Sequence, residues 1–272
     1  PKYLYNTKTL LDVGTGTGVF LNSCSKYTNI ELYGYDLNEA HKETVLNIKN
    51  VNSFYSSNFN NIDRKFDAIS LIHVLEHIPN PLKFLEILKS KLHPNGIIII
   101  QIPYILENSN DILIYDHLSH FTKLNLSILV QKIFKNIHFI QTDILNELTV
   151  IASDSFNKSL NKKEQKKNID FTYVNKIINF FLNLKESIYV FGTAPISTYY
   201  AGILEQNNKL IGFIDEDQLK VGKTHLDKKI FHPHNLKEIK CFIPLNSNIV
   251  KKLNKKYNEI TFISIEEVLY TT

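Results

Sequence analysis

The 272-residue sequence holds two cysteines, no methionine, no tryptophan and nine glycines. Cys24 and Cys241 are too few and too far apart for a disulfide framework or a zinc knuckle, a usage that suits a reducing cytoplasm. Average usage would supply about half a dozen methionines, so a mass spectrum of the chain is a direct check on this composition. Long apolar runs are missing too. The longest, around Ile97 to Ile100, is far too short to span a bilayer. No basic-then-apolar leader is present, so the expectation is a cytoplasmic protein with no membrane partner. The net charge of +4 is uneven: residues 1–150 carry 13 basic against 14 acidic side chains, and residues 151–272 carry 18 against 13. The excess gathers at Lys158, Lys162, Lys163, Lys166 and Lys167, without interleaved aromatics or a reader motif. That pattern fits a solvated linker and gives no ground for a nucleic-acid partner.

What is present begins with Leu10-Leu11-Asp12-Val13-Gly14-Thr15-Gly16-Thr17-Gly18. The apolar run reads as a buried strand. The alternating glycines then permit a tight turn whose backbone N–H groups face a ligand at close range. A methyl group at Gly14 or Gly16 is expected to occupy the ligand's place. The dinucleotide pattern G-x-G-x-x-G fails here by one residue, since position 19 is Val. Asp12 would also repel a pyrophosphate while attracting an ammonium group. A ligand with an adenosyl body, a positive charge and no phosphate fits: S-adenosylmethionine. Asp36 ends the second strand-like run, Ile30 to Tyr35, where a carboxylate can accept both ribose hydroxyls. It could also cap the helix that opens at Leu37; both roles can hold at once, and the intact glycine loop favours the ribose role.

Strand-like runs at 10–13, 30–35, 51–55, 66–72, 96–102, 137–141 and 148–152 alternate with helical patterns near 18–27, 38–48, 80–92 and 122–135. The alternation predicts an α/β fold with a doubly wound, mostly parallel seven-stranded sheet and one antiparallel strand near its end. Pro94-Asn95-Gly96 is expected to turn the chain into the fifth strand. Residues 1–154 are read as one domain and 155–185 as a linker with a connecting helix. Residues 186–272 are read as a smaller Rossmann-like domain, starting at Ser187 to Gly192 and reaching a strand-end acid at Asp215.

Asp12-x-Gly14-x-Gly16-x-Gly18, Tyr35-Asp36-Leu37, Phe66-Asp67-Ala68-Ile69 and His73-Val74-Leu75-Glu76-His77-Ile78-Pro79 together resemble the class I S-adenosylmethionine-dependent methyltransferases. The second half resembles the C-terminal domain of sugar C-methyltransferases through Phe191-Gly192-Thr193-Ala194, Phe213 to Asp217 and Lys220 to Lys223. The resemblance implies cofactor contacts from Asp12, Gly14, Thr15, Gly16, Gly18, Asp36 and Leu37. Asn58 and Phe59 are expected beside the adenine and His73 near the methionine end. Glu76 and His77 are read as structural.

The connection from Tyr104 to His120 is long for an ordinary loop and is expected to cover the active face. The resemblance points to a histidine base there: His117, oriented by Asp116, with His120 or Tyr104 binding substrate. His117 with His120, and His73 with His77, also have metal-ligand spacing. No third and fourth ligand is evident, so no metal is predicted. The expected activity is methyl transfer to carbon or oxygen of a small molecule, a sugar or nucleotide-linked sugar. A nicotinamide-dependent oxidoreductase and an O-methyltransferase of another small metabolite are the alternatives.

Overall fold

The computed structural model describes the chain apart from residues 1, 2, 5, 6, 28, 57, 143, 145, 156–171, 246 and 272. The linker expected from the lysine-rich stretch, together with Phe171, lies almost wholly outside the described residues. The chain divides into two compact units, residues 1–111 with 116–168, and residues 112–115 with 169–272.

Among the described residues the first unit holds seven strands: β1 (Thr9–Val13), β2 (Glu31–Tyr35), β3 (Val51–Tyr55), β4 (Phe66–Ile72), β5 (Leu92–Pro103), β6 (Asn136–Ile140) and β7 (Glu147–Ser153). Their order is β3-β2-β1-β4-β5-β7-β6, with β7 antiparallel to both neighbours. The sheet is therefore mixed, as the expected antiparallel strand requires. Alternation along β1 shows why both faces are covered. Leu11 and Val13 enter one apolar core and Leu10 the other. Helices α1 (Val19–Tyr27), α2 (Lys42–Leu46), α3 (Pro81–Ser90) and α4 (Lys123–Gln131) connect the strands. α3 starts as its sequence requires: the Asn80 side chain accepts from Lys83 N, and Pro81 fills the first position without losing a hydrogen bond. Thr122 and Asn125 form a reciprocal capping box at α4.

Two expectations are corrected. The helix read over 38–48 is a 3-10 turn, Glu39–His41, followed by the short α2, and its cap is Asn38 in place of Asp36. Pro94-Asn95-Gly96 does not precede β5 but lies inside it. Leu92 pairs with Phe66 and Ile97 with Ala68, so the residues between them bulge outward, with His93 to Asn95 exposed.

The second unit is a six-stranded sheet in the order β10-β11-β9-β8-β12-β13. β8 (Ile188–Phe191), β9 (Leu210–Ile214), β11 (Lys228–Phe231), β12 (Ile239–Ile243) and β13 (Ile260–Ser264) run parallel, while β10 (Thr224–His225) is antiparallel to β11. The β10–β11 hairpin was not legible in the sequence. Its turn uses Leu226 and Asp227, both at positive φ, where Asn-Gly or Asp-Gly would be the usual signal. Helix α5 (Thr172–Leu182) buries Val174, Ile177 and Phe181, and α6 (Pro195–Gln206), α7 (Ser247–Lys256) and α8 (Ile265–Thr271) complete the unit. No helix among the described residues is long and apolar enough to cross a membrane.

Candidate active site

A parallel sheet gathers its strand carboxyl ends on one edge, and the loops leaving β1, β2, β4 and β5 carry the candidate residues there. After β1, Gly14, Gly16 and Gly18 all adopt positive φ, at 72°, 50° and 79°. The N–H groups of Gly14 and Thr15 donate to the carbonyl of Tyr35, at 2.8 and 3.0 Å, which pins the loop to the end of β2. The three glycines have different tasks. A Cβ on Gly14 would collide with Val74, and one on Gly18 with Ile48. Only a Cβ on Gly16 would point into open space, the cradle a ligand would fill. The expectation that Gly14 guards ligand space is thereby corrected: its lack of a side chain serves packing.

Asp12 is 2% exposed, and Ser70 Oγ donates to its carboxylate at 2.7 Å. Burial pushes this carboxyl up to about 6, against the lowering effect of the Ser70 hydrogen bond. Asp36 accepts from Gly16 N at 2.8 Å on one oxygen and from Asn38 N at 2.9 Å on the other. It thus braces the glycine loop while remaining partly open. Leu37 beside it is 80% exposed, an apolar surface at the mouth of the site. Asn58 caps the turn Phe59–Asn61. Phe59 is turned inward, 7% exposed and edge-on to Tyr35 at 5.0 Å, so its ring belongs to the core and is not free to cover an adenine.

His73 follows β4 in a left-handed conformation, φ 54°. Its Nε2 meets Glu147 at 2.9 Å and its Nδ1 meets Glu76 at 3.2 Å. Gln101 holds the second oxygen of Glu147. The hydrogen bonds to Glu147 and then Glu76 outweigh burial and raise the imidazole to about 10. His73 is an imidazolium at neutral pH.

The long loop leaves β5 at Tyr104 and returns beside it at Phe121, with Ile105 N donating to Phe121 O at 3.1 Å. The N–H groups of Leu118 and Ser119 donate to the carbonyl of Glu76. Within the loop, the expected pairing of Asp116 with His117 does not occur. Asp116 faces His77, whose Nδ1 donates to the Asp116 carbonyl at 3.0 Å. The carboxylate on His117 is Asp111, 1% exposed, which takes His117 Nδ1 on one oxygen at 2.5 Å and His120 Nδ1 on the other at 2.6 Å. Asp111 was missed because it lies six residues upstream of His117, in a 3-10 turn (Ser109–Leu113) that the sequence does not announce. His117 is 9% exposed and edge-on to the ring of His77 at 4.7 Å, while His120 is 28% exposed. Tyr104, expected at the substrate, is 5% exposed and sits at the loop's closure. Glu76, His77 and His117 each bring one potential ligand atom within 4.8 Å of the others.

The sequence profile described as "Methyltransferase domain" matches residues 2–148. Among curated relatives, the mitochondrial ubiquinone biosynthesis O-methyltransferase of Dictyostelium discoideum is 32% identical over 111 residues. That match covers 34% of this chain and 34% of the relative. The Pasteurella multocida ubiquinone biosynthesis O-methyltransferase is 31% identical over 109 residues, 34% of this chain and 44% of the relative. The chain thus spans under half the length of the curated relatives it matches. A solved SAM-dependent methyltransferase from Archaeoglobus fulgidus aligns with 56% of this chain and 88% of its own, at 18% identity and a TM-score of 0.46. With the profile spanning the glycine loop, Asp36 and the Asp111–His120 cluster, the chain belongs to the methyltransferase-domain family, and its cofactor is S-adenosylmethionine.

Proposed function

We propose that the chain methylates a hydroxyl oxygen of a small molecule of the sugar or nucleotide-linked sugar class, with a histidine held by Asp111 as the base. The observation that carries this reading is the shared carboxylate. Both imidazoles donate Nδ1–H to Asp111, which leaves each Nε2 as an acceptor in the neutral ring. We assign the proton-accepting role to His120, the more open of the two, with His117 packed behind it against His77. The relatives' names speak of O-methyl transfer, which supports oxygen as the acceptor atom. The sugar class is supported by the resemblance of Phe191 to Ala194, Phe213 to Asp217 and Lys220 to Lys223 to the C-terminal domain of sugar methyltransferases. In this reading residues 1–154 transfer the methyl group, 155–185 connect, and 186–272 recognise the nucleotide part of the acceptor.

S-adenosylmethionine supplies a methyl group already activated as a sulfonium, so the protein's task is positioning and proton removal. Gly16 leaves room for the cofactor, Asp36 offers its carboxylate to the ribose hydroxyls, and Leu37 presents apolar surface to the adenine. Asn58 would border the same end, and His73 would serve the methionine end. Asp12, beneath the loop, favours the ammonium group through its charge. His120 Nε2 would accept the hydroxyl proton of the acceptor as its oxygen is turned toward that activated methyl group. Asp111 fixes the tautomer and stabilises the imidazolium that results.

The test is turnover with nucleotide-linked sugars followed by proton NMR of the product. A methoxy resonance supports the reading; a C-methyl resonance moves the acceptor to carbon, with the same base. Replacement His120→Asn should lower kcat by about a hundred-fold or more and leave the affinity for S-adenosylhomocysteine intact. Full activity in that variant would refute the base assignment.

A further inference from the structure

We propose that Glu76, His77 and His117 form a binding site for one divalent transition-metal cation of the zinc class. Glu76 and His77 are sequence neighbours in the turn after β4, and His117 comes from the loop after β5, forty positions on from His77. The fold brings one ligand atom of each within 4.8 Å of the others. A tetrahedral centre with ligands about 2.1 Å away holds its donors about 3.4 Å apart, so the side chains have a little over 1 Å to close.

Three further features point to a cation. First, Glu76 is fully buried, and its Oε2 has no hydrogen-bond partner among the described residues, while Oε1 is taken by His73. A carboxylate oxygen left bare in a protein interior is costly unless something positive meets it. Second, one oxygen of the half-exposed Asp116 carboxylate beside His77, Oδ1, is shielded and has no partner among the described residues. Third, both histidines are oriented as metal ligands are. Each gives its Nδ1–H to an oxygen, His77 to the Asp116 carbonyl at 3.0 Å and His117 to Asp111 at 2.5 Å. That arrangement fixes the tautomer in which Nε2 is bare and raises its basicity. Two imidazoles and one carboxylate suit zinc, iron(II), cobalt or manganese better than calcium. The set leaves a fourth position open to water or an acceptor oxygen. Spacing alone missed the site because its third donor arrives from a different loop.

The test uses the full chain, made without a histidine tag, stripped by a chelator and titrated calorimetrically with zinc and separately with magnesium. One zinc per chain is expected, bound at least ten-fold more tightly than magnesium. Glu76→Gln should weaken zinc at least ten-fold, as should His117→Asn, while His93→Asn at an exposed position should leave it unchanged. Removing the oriented partner with Asp111→Asn should cost about 10–100-fold. Circular dichroism of the metal-free chain reports the fold of each variant. If a variant is unfolded, the visible spectrum of the cobalt-loaded unmutated chain decides. Intense low-symmetry bands support the site, and the spectrum of aqueous cobalt overturns it. Absence of stoichiometric zinc, or zinc binding untouched in folded Glu76→Gln and His117→Asn variants, also overturns it. Neither result bears on methyl transfer.

Discussion

Asp12 is a residue whose burial acts against stability and which, under the proposed function, would serve the ligand. Its carboxyl stands near 6 in the folded chain because it is buried, against 3.8 as its ordinary value. A folded value raised above the unfolded one means that the folded state binds the proton more tightly. This contribution therefore favours the fold at low pH and turns against it as pH rises from about 4 through 6. At pH 7.5, Asp12→Asn should stabilise the ligand-free protein by about 1–3 kcal/mol, read as a higher Tm. Ligand binding has the opposite sign. A cation-bearing ligand prefers the ionised carboxylate and must displace a proton below about pH 6. The affinity for S-adenosylhomocysteine should then fall by up to about ten-fold per pH unit below that value and level off above it. Calorimetric titrations from pH 5 to 8 check this, and the dependence should vanish in Asp12→Asn.

The glycines divide in the same manner. Gly14→Ala must place a methyl group against Val74 at positive φ and should cost about 2–4 kcal/mol of stability. Gly16→Ala meets open space and should cost only about 1–2 kcal/mol, while cofactor affinity collapses. Denaturation and titration of the pair separate packing from binding. The histidine cluster gives a third contrast. Asp111→Asn should lower kcat by about a hundred-fold or more, whereas Asp116→Asn should change it by less than ten-fold, with cofactor affinity retained in both.

Among the elements, the loop between Tyr104 and Phe121 depends on its ends. Its two ends meet in a backbone bridge between Tyr104 and Phe121, just beyond β5, and its return enters α4 through the Thr122–Asn125 capping box. Thr122→Ala removes a hydroxyl that accepts from Asn125 N and should cost about 1 kcal/mol, measured by urea unfolding. Where an element was misread, a competing local preference explains it. Pro94-Asn95-Gly96 carries turn chemistry, yet pairing on both sides with β4 draws it into a bulged strand. The 38–48 stretch has helical spacing, yet Asp36 is engaged by Gly16 and Asn38, so the cap moves to Asn38 and the helix shortens.

For the whole molecule, each sheet has its own pair of apolar cores, one on either face. Ligand that binds only the first unit should stabilise only that unit. Scanning calorimetry with S-adenosylhomocysteine at about one hundred times its Kd should raise the first unit's transition by about 2.7 kcal/mol and leave the other in place. A joint shift of both would show that the units unfold together.

Period and composition alone determined the alternation of strands and helices, the antiparallel strand, the glycine loop and the carboxylate after β2. Each of those signals is local: a repeat of two or 3.6, or a residue type within one turn. Which carboxylate would hold His117 was settled only by tertiary structure. So was the inward turn of Phe59, and so was the meeting of Glu76, His77 and His117. In each case the partner comes from another loop, and its approach is set by the strand order β1-β4-β5-β7, which no local pattern encodes.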